Sequence, residues 1–127
     1  MLSIQEKKYF ETTVNSITCL LDTDVPILSF DHELLNGKDK EALGCAWSYN
    51  KKDVYQITID EYFIKECYKD HLWNKGCRGK GILPKIEPES LEQVLCHEIA
   101  HVKYWNHGKK HTELTQCLYM AYMNVKH

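Results

Sequence analysis

The sequence predicts an α+β fold: a small antiparallel or mixed sheet of about three strands packed on a central helix, with further helices near both ends. Three observations point there. Two short runs, Ala42 to Tyr49 and Val54 to Ile59, flank a polar turn and read as a hairpin. Apolar residues recur at helical intervals near both termini, and Ser90 with Gln93 marks the start of a third helical run.

Ile4, Phe10, Val14, Ile17 and Leu21, with charges between them, suit an amphipathic helix over 4–21. Asp22 to Pro26 reads as a turn, because proline biases the preceding residue to extended backbone, and Ile27 to Phe30 reads as a first strand. Asn36-Gly37 is a turn dipeptide ahead of the hairpin, whose own turn is Asn50 to Asp53. In its second arm Tyr55, Ile57 and Ile59 alternate with Val54, Gln56, Thr58 and Asp60, giving one apolar and one largely polar face. A helix over Glu61 to Trp73 would cover that sheet through Tyr62, Ile64, Tyr68 and Leu72. Gly76, Gly79 and Gly81 then interrupt regular structure, so Asn74 to Glu87 is expected to be an exposed loop. Pro88 suits an early helical position and Ser90 with Gln93 forms a capping box, starting a helix expected to run to about Tyr104. Leu114, Cys117, Leu118, Ala121 and Val125 place the apolar face of a C-terminal helix toward the core.

With 127 residues, 43% hydrophobic and 27% charged, the chain is expected to form one domain over 1–127, and a monomer. A net charge of -2 supplies no overall attraction to nucleic acid. The first residues lack a basic segment followed by an apolar one, and no run approaches the ~20 apolar residues of a membrane span. The expectation is an intracellular, cytoplasmic protein without membrane contact. The six cysteines include no Cys-x-x-Cys pair, which argues against a zinc ribbon or a thioredoxin-like motif and favours free thiols.

The chemistry lies in His97-Glu98-Ile99-Ala100-His101, inside the best-marked helix. Residues four apart on a helix bring their Cβ atoms to roughly 5–6 Å on one face, so both imidazoles can reach one metal ion. A catalytic zinc site takes three protein ligands and keeps a position for water, and Glu98 is offset sideways, beside that water, as candidate base and acid. The third ligand must come from downstream. Were the helix to continue, His107 would lie about 9 Å beyond His101, out of reach of the same ion. The chain must therefore reverse, and Asn106 and Gly108 tolerate left-handed or irregular backbone on either side of His107. His107 is favoured as ligand over His111, which reads as a helix-start or outer-sphere residue, and Glu113 is an outside candidate.

These residues, His97 to His101 with His107-Gly108, resemble the zincin-like metallopeptidases of the SprT-like, WLM and YgjP-like group. Leu43-Gly44-Cys45-Ala46 followed by Ile57-Thr58-Ile59 is similar to the hairpin of SprT-like proteins. The resemblance covers about Ile27 to Cys117. It implies a zincin-like α+β fold, Zn2+ held by His97, His101 and His107, and hydrolysis of peptide bonds in protein substrates, with Glu98 activating a zinc-bound water. Relatives that digest proteins crosslinked to DNA extend the implication to DNA-associated substrates. The chain departs from the pattern at His111, where these families commonly carry Phe or Trp, and has no following cysteine-bearing ribbon. The alternative is an inactive zincin-fold module that binds a protein or nucleic-acid partner; a purely structural zinc site would need a fourth ligand such as His111.

Trp73, Lys75, Arg78, Lys80 and Lys85 make a basic loop over 73–85 that could contact DNA, orient a peptide, or be simply solvated. Tyr104, Tyr119 and Tyr122 are candidate oxyanion donors, with core packing the better reading of each. Cys96 is expected to be buried rather than ligating.

Overall fold

The computed structural model describes residues 2–21, 23–31, 43–75 and 90–126. These form an α+β arrangement of four helices and a three-stranded mixed sheet: α1 (Ile4–Thr18), β1 (Ile27–Phe30), β2 (Gly44–Ser48), β3 (Val54–Asp60), α2 (Glu61–Asn74), α3 (Leu91–Ala100) and α4 (Lys109–Lys126). The expected turn at Asn36-Gly37, the glycine loop from Gly76 to Gly81, and Pro88 lie outside the described residues, as does most of the basic loop.

Strand β3 is central. It pairs in parallel with β1, Ile27 opposite Ile57 and Phe30 opposite Asp60, and antiparallel with β2, Gly44 opposite Ile59 and Ala46 opposite Ile57. The hairpin is closed by Asn50, whose side-chain oxygen accepts the backbone N–H of Lys52 and Asp53 at 2.9 and 2.8 Å. This polar anchoring lets Lys51 adopt φ 59, the left-handed region. The first arm is shorter than expected: Tyr49 lies beyond the strand and stacks its exposed ring on Tyr55 at 4.5 Å.

The starts of α1, α2 and α3 satisfy free N–H groups with a local side chain. Ser90 accepts from the Gln93 backbone at 3.2 Å while Gln93 accepts from the Ser90 backbone at 2.8 Å, the expected capping box. Ser3 and Glu6 do the same for α1, a signature the apolar pattern of 4–21 masks. Asp60 ends β3 and caps α2, accepting from Tyr62 N–H at 3.0 Å. The expected polar face of β3 is therefore not left to water: Asp60 is a buried cap, and Thr58 is fully buried, accepting from the Trp47 indole N–H at 2.8 Å.

The core joins Phe10 and Ile17 of α1, Ile57 and Ile59 of β3, Phe63 and Ile64 of α2, Leu91, Leu95 and Ile99 of α3, and Leu118 and Tyr122 of α4. Several expected inward residues face out. Ile4 is exposed because α1 uses Phe10, Thr13 and Ile17, and Tyr62 is exposed because α2 turns Phe63 and Cys67 inward. In α4 Cys117 and Val125 are exposed, and the buried line is His111, Leu118 and Tyr122, with Leu114 packed against the core. Helix α3 buries seven of its ten residues, Glu98 among them.

Candidate metal centre

Helix α3 ends at Ala100, earlier than the expected Tyr104. The backbone tightens there: His101 N–H donates to Glu98 O at 3.1 Å and Val102 N–H to Ile99 O at 3.0 Å, a spacing of three residues instead of four. His101 keeps right-handed helical angles at the C-cap, so His97 and His101 still share one helical turn. The chain then reverses through Tyr104 to Gly108, where Gly108 N–H donates to Asn106 O at 2.9 Å, and α4 begins at Lys109. Asn106 does not take the left-handed backbone that its residue type would tolerate. A three-residue closure makes the turn, and a Cβ at Gly108 would meet nothing within 4 Å.

This reversal brings His107 back beside the helix. The donor nitrogens of His97, His101, His107 and His111 all lie within 4.8 Å of one another, a cluster that could hold a metal ion. His97 Nε2 and His107 Nε2 are 3.1 Å apart. Two nitrogens bound tetrahedrally to one zinc stand about 3.3 Å apart, so this pair has the spacing of co-ligands. The ring centres of His97–His101, His97–His107 and His101–His107 are 5.1, 5.0 and 4.6 Å apart. Imidazoles around a common zinc at ~2.05 Å have centres roughly 5 Å apart, so the donor set fits the ion.

The hydrogen bonds settle which nitrogens are available. A carbonyl oxygen can only accept, so His101 Nδ1, 3.2 Å from Tyr104 O, carries the proton and leaves Nε2 as donor to a metal. Burial, with repulsion from the other imidazoles, pushes the His97 imidazolium down to about 4 and lowers His101 also. Both rings are thus held in the neutral form that ligates.

Glu98 is buried, its Oε1 3.9 Å from His97 Nε2. With His97 neutral this is proximity and not an ion pair. Burial alone pushes the carboxyl up to about 7. Glu98 sits where two concavities meet: one of about 440 Å³ between Gly44 to Ala46 of β2, His97, His101 and Trp105 to His107, the other of about 390 Å³ bounded by Leu43, Gly44, Val94 and Thr115.

Gly44 permits this approach of strand to helix. A Cβ there would lie 3.0 Å from Ile59 Cδ1, 3.2 Å from Glu98 Cγ and 3.3 Å from Val94 Cγ1. The sequence pattern carried a signal for it, since a glycine inside a strand often marks close approach of another element. Gly44→Ala is expected to cost about 1–3 kcal/mol as an overpacked contact, read as a lower midpoint in chemical denaturation. An unchanged midpoint would show that those three side chains yield freely.

The remaining expected residues lie elsewhere. Glu113 is exposed, 3.9 Å from Lys109, and outside the cluster. Cys96 is fully buried, its thiol pushed up to about 12 by burial, which fits the expected non-ligating role. Tyr122 lines a separate cavity with Tyr9 and Glu92, donating its hydroxyl to Glu92 at 3.5 Å. Tyr119 packs against the core, whereas the Tyr104 ring is exposed and only its carbonyl serves the site. Of the basic loop, Trp73 is half-buried at the end of α2 and Lys75 is exposed. No helix among the described residues is long and apolar enough to cross a membrane. No family model, curated protein or solved structure matches the chain.

Proposed function

We propose that this protein is a zinc metallopeptidase in which His97, His101 and His107 hold the ion and Glu98 handles the protons. The observation that carries the reading is the buried Glu98 carboxyl 3.9 Å from His97 Nε2, beside a cluster of four imidazoles. The resemblance of His97 to His101 and His107-Gly108 to the SprT-like, WLM and YgjP-like group supports the same conclusion. When bound, zinc supplies Lewis acidity, acidifying water and polarising a carbonyl. Glu98 accepts a proton from the attacking water and returns it to the departing amine.

Substrate placement follows from the strand beside Glu98. Among the described residues β2 pairs only with β3, and Gly44 to Ala46 line the cleft. An extended peptide can lie along them, with the two concavities receiving side chains on either side of the cleaved bond. The substrate class is therefore protein or peptide in extended form; a DNA-associated substrate and a cytoplasmic setting belong to the same proposal. The free thiols of Cys19, Cys96 and Cys117 suit a reducing compartment.

The test is metal analysis of protein purified without chelators, paired with cleavage of an unfolded protein. Zinc in equal amount to the chain is expected, with cleavage abolished by 1,10-phenanthroline and restored by added zinc. Metal-free protein, or cleavage indifferent to chelation, would overturn the reading. Zinc bound without turnover would instead favour the inactive binding module.

A further inference from the structure

We propose that His111 is a fourth nitrogen donor to the ion, acting through Nδ1, so that the resting centre is a four-imidazole site. This rests on the metal reading above and extends it to a residue that the three-histidine pattern leaves out.

His111 occupies the first turn of α4 and is 2% exposed. Its Nε2 lies 2.9 Å from the carbonyl oxygen of His97. That oxygen can only accept, so Nε2 carries a proton and Nδ1 is the nitrogen through which the ring would offer a lone pair. Metal-bound histidines characteristically give their second N–H to a carbonyl or carboxylate, which fixes ring and tautomer. His111 and His101 share this arrangement: each is tied through one nitrogen to a backbone carbonyl, with the other nitrogen left for the cluster.

The ring positions agree. The His111 centre lies 4.6, 4.1 and 5.2 Å from those of His97, His101 and His107. Together with the three separations already given, these describe four rings surrounding one point, at spacings near the roughly 5 Å of tetrahedral imidazoles. A ring that served only to brace His97 would need contact with its carbonyl and no approach to His107. Four imidazole nitrogens without a carboxylate in the set select zinc, copper, nickel or cobalt over magnesium or calcium. Zinc also accepts a fifth donor, so the reacting water or an arriving carbonyl oxygen can still enter.

X-ray absorption of the zinc-loaded, unaltered chain is expected to count four imidazoles; three imidazoles with an oxygen would overturn the proposal. His111→Gln supplies the second readout, because its amide N–H can still donate to the His97 carbonyl while the imidazole nitrogen is gone. With folding verified by circular dichroism, its zinc affinity should fall by more than the ~10–100-fold typical of losing an outer-sphere partner. The visible absorption of its cobalt(II) form should differ from that of the unaltered cobalt protein, one imidazole having been exchanged for an oxygen donor. Unchanged affinity and spectrum in His111→Gln would reduce His111 to a bracing residue. An unaltered chain that binds neither zinc nor cobalt would remove the metal centre as a whole, an outcome distinct from one that binds zinc through three imidazoles.

Discussion

Glu98→Gln is expected to retain zinc at the level of the unaltered chain while peptide hydrolysis falls by about 10²–10⁴-fold. The amide preserves the shape of the side chain packed against Gly44, so the fold has no steric reason to change. What disappears is the only buried carboxyl beside the histidine cluster among the described residues, and with it the group that carries a proton from water to the leaving amine. Because Glu98 is not among the clustered donors, its loss should not release the ion. Steady-state cleavage of an unfolded protein, with elemental analysis of the same preparation, measures both halves. Undiminished turnover would exclude Glu98 from the mechanism and leave the ligand set untouched.

The second large effect is expected at His101. His101→Ala removes a buried imidazole whose Nδ1–H is anchored on Tyr104 O and which shares one helical turn with His97. Zinc affinity should fall well beyond the ~10–100-fold typical of losing an outer-sphere partner. A ligand that binds only the folded state stabilises it by about 2.7 kcal/mol at a concentration 100 times its Kd. Thermal melting with and without zinc should therefore show a zinc-dependent rise in the unaltered chain and none in His101→Ala. Lys103→Ala, at an exposed position two residues on, should keep the rise. A normal zinc response in His101→Ala would separate that residue from any metal.

Much of the architecture was legible because it depends on neighbours in sequence. The Ser90–Gln93 cap, the hairpin around Asn50 to Asp53 and the strand Ile27–Phe30 all rest on hydrogen bonds or alternation spanning a few residues. The misread positions share one cause. Periodicity shows that a helix has an apolar face, but Tyr62 and Phe63 are both apolar, and only the packing of α2 decides that Phe63 is the one covered. Ile4 and Val125 lie near helix ends, where little remains to bury them. The helix ends earlier than its local pattern indicates for a comparable reason: Val102 disfavours helix only mildly and Lys103 favours it, and the tightening comes from the reversal that follows.

Helical geometry is local, and four residues make about one turn, so the placing of His97 and His101 on one face with Glu98 beside them is read directly from their spacing. The same geometry lets His107 join them only after a reversal. Tertiary structure alone decided that His111 closes on the same point, because α4 must first pack its buried line on the core. It likewise decided that β2 lies against Glu98, an approach set by Ile59, Val94 and the missing side chain of Gly44. Local hydrogen bonding places residues a few positions apart, whereas distant segments are placed by the summed burial of apolar surface, which no single segment encodes.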